Sequence, residues 1–278
     1  MQEECDVMKD VRNRKAFVYF VTALLLLGVN PASGAGQDIG TLSHIHSVRA
    51  FGDQVILGTH EGLFQYVDEK TVRLMGKEIF DVMGLAVFGK QLYASGHPGS
   101  DSKLPQPVGL LSSADGGRSW KKLGLQGEVD FHLLETAGAD MYGADSGSGN
   151  LLYSNNGGKK WTSRGMNLMN DIAVNPVKVG SALALRDGKL ISTQNSFTKM
   201  RAVDSTLIFS SLDWIKGSLL ATSGKSLYRS SDLGLTWKKM SDFPQATSTV
   251  TQSSKIIAVV AGNSIYKSTD GGKTFKKM

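Results

Sequence analysis

The chain has 278 residues, 41% of them hydrophobic and 20% charged, long enough to bury one large core. A single cysteine excludes a disulfide framework. The net charge of +6 is carried in large part by lysine pairs, Lys159-Lys160, Lys238-Lys239 and Lys276-Lys277, which read as solvated strand edges that block aggregation, so specific nucleic-acid binding is not expected.

Residues 1–35 stand apart. Lys9, Arg12, Arg14 and Lys15 precede an uncharged apolar run from Ala16 to Val29, and Pro31-Ala32-Ser33-Gly34-Ala35 follows. The run is shorter than the ~20 residues that span a bilayer, and small residues suited to cleavage come at once, so the segment reads as a Sec-type signal peptide cut after Ala35. Met8 competes with Met1 as the start, because Glu3, Glu4 and Asp6 do not suit a basic leader. Cys5 precedes the apolar run and leaves with it. The expectation is an exported bacterial protein, extracellular or at the cell envelope, monomeric, with no transmembrane span after cleavage.

From residue 36 onward the chain is built of short strands rich in Val, Ile, Leu and Phe, joined by Gly-led turns, and no segment sustains a helical apolar period. A turn sequence recurs at 113–120 (SADGGRSW), 154–161 (SNNGGKKW), 230–237 (SSDLGLTW) and 268–275 (STDGGKTF). Its acidic or amide residue is Asp115, Asn156, Asp232 or Asp270, and its closing aromatic is Trp120, Trp161, Trp237 or Phe275. The middle gap is about twice its neighbours, so a decayed copy is expected at 192–198, where Ser192 and Thr193 remain and the aspartate, glycine and aromatic are lost. Asp or Asn in such a turn accepts hydrogen bonds from its own backbone, and glycine supplies the positive φ.

Six Gly- or Asn-led strands precede these turns or their equivalents, each after two further strands. Four strands repeated six times predict an all-β fold, a β-propeller of six four-stranded blades with about 40 residues each. A seventh blade lacks strands to build it. No spare N-terminal strand remains for a shared closing blade, so the first blade is expected to close the ring by packing against the last.

The period also aligns the histidines. Ala50–His60 matches Val87–His97 without gaps, which makes His60 and His97 equivalent; the same alignment pairs His44 with Asp81 and Asp130, and His46 with Met83 and His132. All five histidines therefore fall at three repeat positions in blades 1–3. Alternation along a strand puts His44 and His46 on one side. His44, His46, His60, His97, His132, Asp81 and Asp130 are the candidate ligand-binding set, with Glu61, Glu128, Asp145 and Asp171 near it. His44, His46 and His132 are candidate ligands of a divalent metal, and Asp81, Asp130 and Glu128 are the candidate acid or base groups of a hydrolase. The bland alternative is a set of polar residues that bond one another and water around the channel mouth. The insertion from Ser95 to Val108 begins beside this set and is read as a lid or partner contact.

The turn S-x-D-x-G-x-[ST]-W resembles the Asp-box, or BNR repeat, of sialidases, sortilin-type receptors and photosystem II assembly-factor propellers. The resemblance covers residues 40–278 and implies that each box joins the two outer strands of a blade, at the end away from the binding face. His-Ile-His, Thr-His-Glu-Gly-Leu-Phe, Tyr-Ala-Ser-Gly-His-Pro-Gly and Asp-Phe-His together resemble a group of exported bacterial propellers labelled glycosyl hydrolase or sortilin-like on fold alone. Sialidases of this fold grip the substrate carboxylate with three arginines, and no such triad emerges here: Arg118 and Arg229 belong to boxes and Arg49 has the opposite strand parity to His44 and His46. The leading expectation is a non-catalytic propeller that binds a carbohydrate, a small ligand or an envelope protein at the His/Asp face. The alternatives are a glycoside hydrolase or other hydrolase, and an envelope assembly scaffold.

Overall fold

A computed structural model describes residues 35–278; the signal-peptide segment, Cys5 and both candidate start codons lie outside them. The described residues form six antiparallel sheets; five run outward in chain order from their first strand, and the sheet of blade 1 does so from Ile45–Phe51, with one earlier strand added at its outer edge. The innermost strands are Ile45–Phe51, Phe80–Phe88, Phe131–Ala137, Asp171–Val174, Ser211–Ile215 and Thr247–Gln252. Each packs on the innermost strand of the next blade, and the sixth packs on the first, so the sheets close into a six-bladed propeller.

Burial follows from this arrangement. A blade buries both faces against its neighbours, so its second strand lacks an exposed side: Gln54–Thr59 is buried at every position except the first. The core is divided into six apolar layers, one between each pair of blades. Leu85, Leu110, Phe131 and Met141 belong to the layers on the two sides of blade 2, and the closing layer joins Ala50, Val55, Leu57 and Phe64 of blade 1 to Ile256, Ala258 and Ile265 of blade 6.

No strand is shared between the first and last blades, as the sequence led us to expect. A spare N-terminal strand exists nonetheless: Gln37–Asp38 pairs with Thr71–Leu74 and adds a fifth strand to the outer edge of blade 1. Two residues with a following 3-10 turn at Ile39–Thr41 are too short for an alternation pattern to show. The ring is closed by packing, by an ion pair between Lys277 Nζ and Glu69 (2.6 Å) and by three hydrogen bonds: Ala50 N–H donates to Thr251 Oγ1 (2.8 Å), Ser253 Oγ to the Gly52 carbonyl (2.5 Å) and Lys267 Nζ to the Asp53 carbonyl (2.6 Å).

The recurring turns link the third and fourth strands of blades 2–6 and share one bonding pattern. In blade 2, Ser113 Oγ donates to Asp115 Oδ1 and accepts from Gly117 N–H, while Ser119 N–H donates to the same carboxylate. The copy in blade 4 is less decayed than its sequence suggests. Thr193 Oγ1 donates to Asn195 Oδ1 and accepts from Phe197 N–H, and Lys199 N–H donates to Asn195 Oδ1. Asn195 thus replaces the aspartate, and Ser196 and Phe197 take the two glycine positions at φ of 56° and 61°. The polar role survives in a residue that resembles Asp only in its side-chain oxygen.

Candidate functional site

The turns mark one end of every blade. The opposite end is formed by the segments that enter each innermost strand and by the links between second and third strands, and all five histidines lie there. His44 and His46 enter blade 1, Asp81 enters blade 2, and Asp130 and His132 enter blade 3. His60 follows the second strand of blade 1 and His97 ends the second strand of blade 2, Gln91–Pro98.

A backbone irregularity aims two of these side chains. The innermost strands of blades 1, 2, 3 and 6 each carry a register shift, at Ile45/Ser47, Val82/Gly84, Phe131/Leu133 and Thr247/Thr249. The extra residue in each is His46, Met83, His132 or Ser248. A bulge releases one residue from the ladder and re-aims its side chain, and in blades 1 and 3 that residue is a histidine. Glycine allows the strands to meet closely behind the mouth: at Gly96 (φ +146°) an added Cβ would lie 1.9 Å from the Asp81 carbonyl oxygen.

Seven side chains converge. Asp81 is approached by His46 Nε2 at 3.2 Å, His60 Nδ1 at 2.8 Å and His97 Nδ1 at 3.3 Å. Asp130 is approached by His97 Nε2 at 2.9 Å, His132 Nε2 at 2.8 Å and Ser146 Oγ at 2.7 Å, all at Oδ2. Ser146 occupies in blade 3 the repeat position held by His60 and His97. The ring of His44 lies 5.1 Å from that of His46 and 5.5 Å from that of His60, and the last two are 4.5 Å apart, edge to face.

This packing leaves polar atoms without partners. His46 Nε2, Asp81 Oδ1 and Asp130 Oδ1 are fully buried and accept or donate no hydrogen bond, although Asp130 is only 7% exposed. His46 and Asp81 face each other within reach but out of line for a hydrogen bond. A neutral imidazole donates from one nitrogen only, and His97 presents both of its nitrogens to carboxylates. Burial holds His46 below the usual histidine range; Asp81 opposes this, and His60, His44 and His132 reinforce it.

The neighbouring acids have other work. Asp145 accepts the Asp130 N–H (2.8 Å) and both the N–H and hydroxyl of Ser148, and so fixes the Asp130 backbone. Glu61 holds Ser43, just before His44, through its N–H (3.0 Å) and hydroxyl (2.6 Å). Glu128 is exposed in the turn before Val129 and shares no hydrogen bond with the cluster. The Ser95–Val108 insertion is tied down: Ser102 Oγ donates to Glu78 (2.7 Å), Val108 N–H donates to the Gly96 carbonyl (2.9 Å), and Leu104 and Val108 pack into the layer between blades 1 and 2.

Deeper in the channel lies a set of which sequence reading named only Asp171, and placed it near the histidines. Arg49, Glu135 and Asp213 occupy one repeat position, each paired with the third residue of its blade's second strand: Ile56, Tyr142 and Leu220. Arg49 pairs with Glu135 and donates Nε–H to the Leu85 carbonyl (2.7 Å). Asp171 accepts the Leu212 N–H (2.7 Å) and Asp213 the Gln252 N–H (3.0 Å). Burial pushes Glu135 up to about 8 against the pull of Arg49, with Asp171 and Asp213 adding to the rise; burial likewise pushes Asp213 up to about 6 and raises Asp171. One guanidinium therefore serves three carboxyl groups, and Arg49 holds its own proton more tightly than usual.

A groove of about 530 Å³ opens beside His46 between blades 6 and 1, lined by Ile45, Val48, Tyr66, Thr249 and Val260. Among the described residues, no helix is long and apolar enough to cross a membrane.

No family model and no curated protein matches this chain. Solved structures match it in fold. YCF48 bound to a D1 peptide aligns with a TM-score of 0.52 and 15% identity over 87% of this chain and 83% of that one. A chain of the nidogen/laminin complex aligns at 0.54 and 13% over 83% and 92%. The GH74 enzyme of Niastella koreensis aligns at 0.52 and 15% over 84% of this chain, which spans 37% of the enzyme. At such identities the likeness is one of fold.

Proposed function

We propose that this protein is a binding propeller whose recognition element is the His/Asp mouth of blades 1–3, and that the donor set there holds a divalent transition-metal ion. The observation that carries this reading is the convergence of four imidazoles on two carboxylates at 2.8–3.3 Å, with a fifth imidazole, His44, packed against His46 and His60. Ligands bound at about 2.0–2.1 Å to one ion stand about 2.9–3.4 Å from each other, the edge of an octahedron or tetrahedron, and these contacts have that spacing. Imidazole and carboxylate together suit zinc, copper, nickel or cobalt better than the oxygen-seeking calcium and magnesium.

Capture is favoured over glycoside hydrolysis by the engagement of two of the three candidate carboxylates, the third, Glu128, being exposed and sharing no hydrogen bond with the cluster. Asp81 and Asp130 are each engaged by imidazoles, whereas hydrolysis needs one carboxyl free to protonate the leaving oxygen and a second free to act on the sugar. Two neighbours of similar fold come from complexes, YCF48 with a D1 peptide and the nidogen/laminin pair. A protein or peptide partner of this chain is expected to approach by the same mouth, with the apolar groove beside His46 as its second contact.

The test is equilibrium dialysis of the chelator-stripped protein against Zn²⁺, followed by elemental analysis. Wild type is expected to retain zinc in whole-number stoichiometry, and the His46→Ala/Asp130→Ala variant to lose it; wild type without zinc, copper or nickel overturns the metal reading. Chromogenic glycosides are expected to show no turnover that depends on Asp81, Asp130 or Glu128, and turnover abolished by any one of these substitutions would overturn the binding role.

A further inference from the structure

Resting on the metal-binding reading above, we propose that the mouth holds two divalent cations, in adjacent sites of different character, linked through Asp81 and His97. The donors separate into two sets, His44, His46 and His60 in one and His97, Asp130 and His132 in the other, and within each set one ligand atom per residue lies within 4.8 Å of the rest. The first set comes wholly from blade 1 and the second from blades 2 and 3.

One ion cannot serve both. His97 presents Nδ1 to Asp81 and Nε2 to Asp130, on opposite sides of one rigid ring. The buried atoms without partners also divide, His46 Nε2 and Asp81 Oδ1 at the first set and Asp130 Oδ1 at the second, so each position has a buried donor that nothing in the protein satisfies. Leaving such atoms unpaired is destabilising, and an ion at each set removes that cost.

The two sites differ in donor chemistry. The first is three imidazoles of blade 1, with Asp81 beside two of them, its Oδ1 3.2 Å from His46 and its Oδ2 2.8 Å from His60. The second is two imidazoles and one carboxylate, a three-ligand set whose fourth position takes water or an exchangeable ligand. When His97 ligates through Nε2, its Nδ1–H points at Asp81, a carboxylate placed to orient the metal-bound imidazole. Asp81 thereby ligates the first ion and orients a ligand of the second. The coupling runs one way in its strength: loss of the first site loosens His97, whereas loss of Asp130 or His132 leaves the first set whole.

Copper titration tests this with Cu²⁺ as the probe. Stripped wild type is expected to bind two equivalents, and the doubly loaded form to show a broadened, attenuated electron paramagnetic resonance signal from two neighbouring spins. Asp130→Asn/His132→Ala is expected to bind one equivalent with full signal intensity, and His44→Ala/His60→Ala one equivalent with affinity about 10-fold or more below wild type's second site. The substituted histidines are exposed, and wild-type stoichiometry decides the matter even if a variant misfolds. One equivalent in wild type overturns the pair and leaves the metal reading standing; none overturns both; two equivalents with undiminished, unbroadened signal overturns their adjacency.

Discussion

Gly96 controls the mouth without contributing a side chain to it. It pairs across the sheet with Val82 while its neighbour His97 pairs with Asp81, and its positive φ and contact with the Asp81 carbonyl leave no room for a Cβ. Gly96→Ala forces the two strands apart at the point where Asp81 and His97 meet. The expected result is a loss of Zn²⁺ affinity of about 10-fold, with a stability cost of about 1–3 kcal/mol, read by isothermal titration and urea denaturation. At this scale the histidines were legible because a repeat period aligns them, and the structure gathers them together with Asp81 and Asp130. The bulges that extrude His46 and His132 were not legible, since a bulge is a property of two paired strands and only one is visible in a run of sequence. Glu128 sits one residue before Val129, close in sequence to Asp130, yet its turn directs it to solvent; nearness along the chain carries no information about the sheet's end.

At the scale of the element, the repeated turn was legible as a ruler and only partly as chemistry. Its loudest features, aspartate and tryptophan, prove less general than a hydroxyl that bonds a side-chain oxygen two residues on. Thr193 and Asn195 keep that arrangement where the rest of the motif is gone. The turn in blade 5 departs differently: Leu233 takes a glycine position at φ 62° and is 63% exposed. An L-residue in this conformation costs about 1–2 kcal/mol, and the leucine side chain recovers none of it by burial. Leu233→Gly is therefore expected to raise stability by about 1 kcal/mol, measured by urea denaturation, with no change in metal stoichiometry.

Across the whole molecule, the channel charges join blades that are otherwise held by apolar layers. Their repeat position was hidden because it carries Arg49 in blade 1, Glu135 in blade 3 and Asp213 in blade 5, with no shared residue type to reveal it. Glu135 is raised above its unfolded value, so the folded state keeps a proton that the unfolded chain has already released; stability from this group is full below the ordinary carboxyl range and falls as pH rises toward about 8. Glu135→Gln is expected to flatten that fall in urea midpoints taken between pH 5 and pH 8. Arg49→Met removes the cation that three carboxyl groups share. Its cost is expected to be about 3–5 kcal/mol at pH 8 and smaller at pH 5, where the carboxyls accept protons instead.

The closing seam has a kinetic meaning. Blades 6 and 1 share no strand, so they are joined as two separate molecules are joined, by a layer of side chains, one exposed ion pair and three hydrogen bonds. Such a joint can part without dismantling any sheet. Every donor of the mouth lies in blades 1–3, on one continuous stretch of chain to one side of that joint. The ring can breathe at its seam while the seven side chains of the mouth keep their arrangement, which separates how long the protein lives as a closed ring from how long its mouth stays assembled.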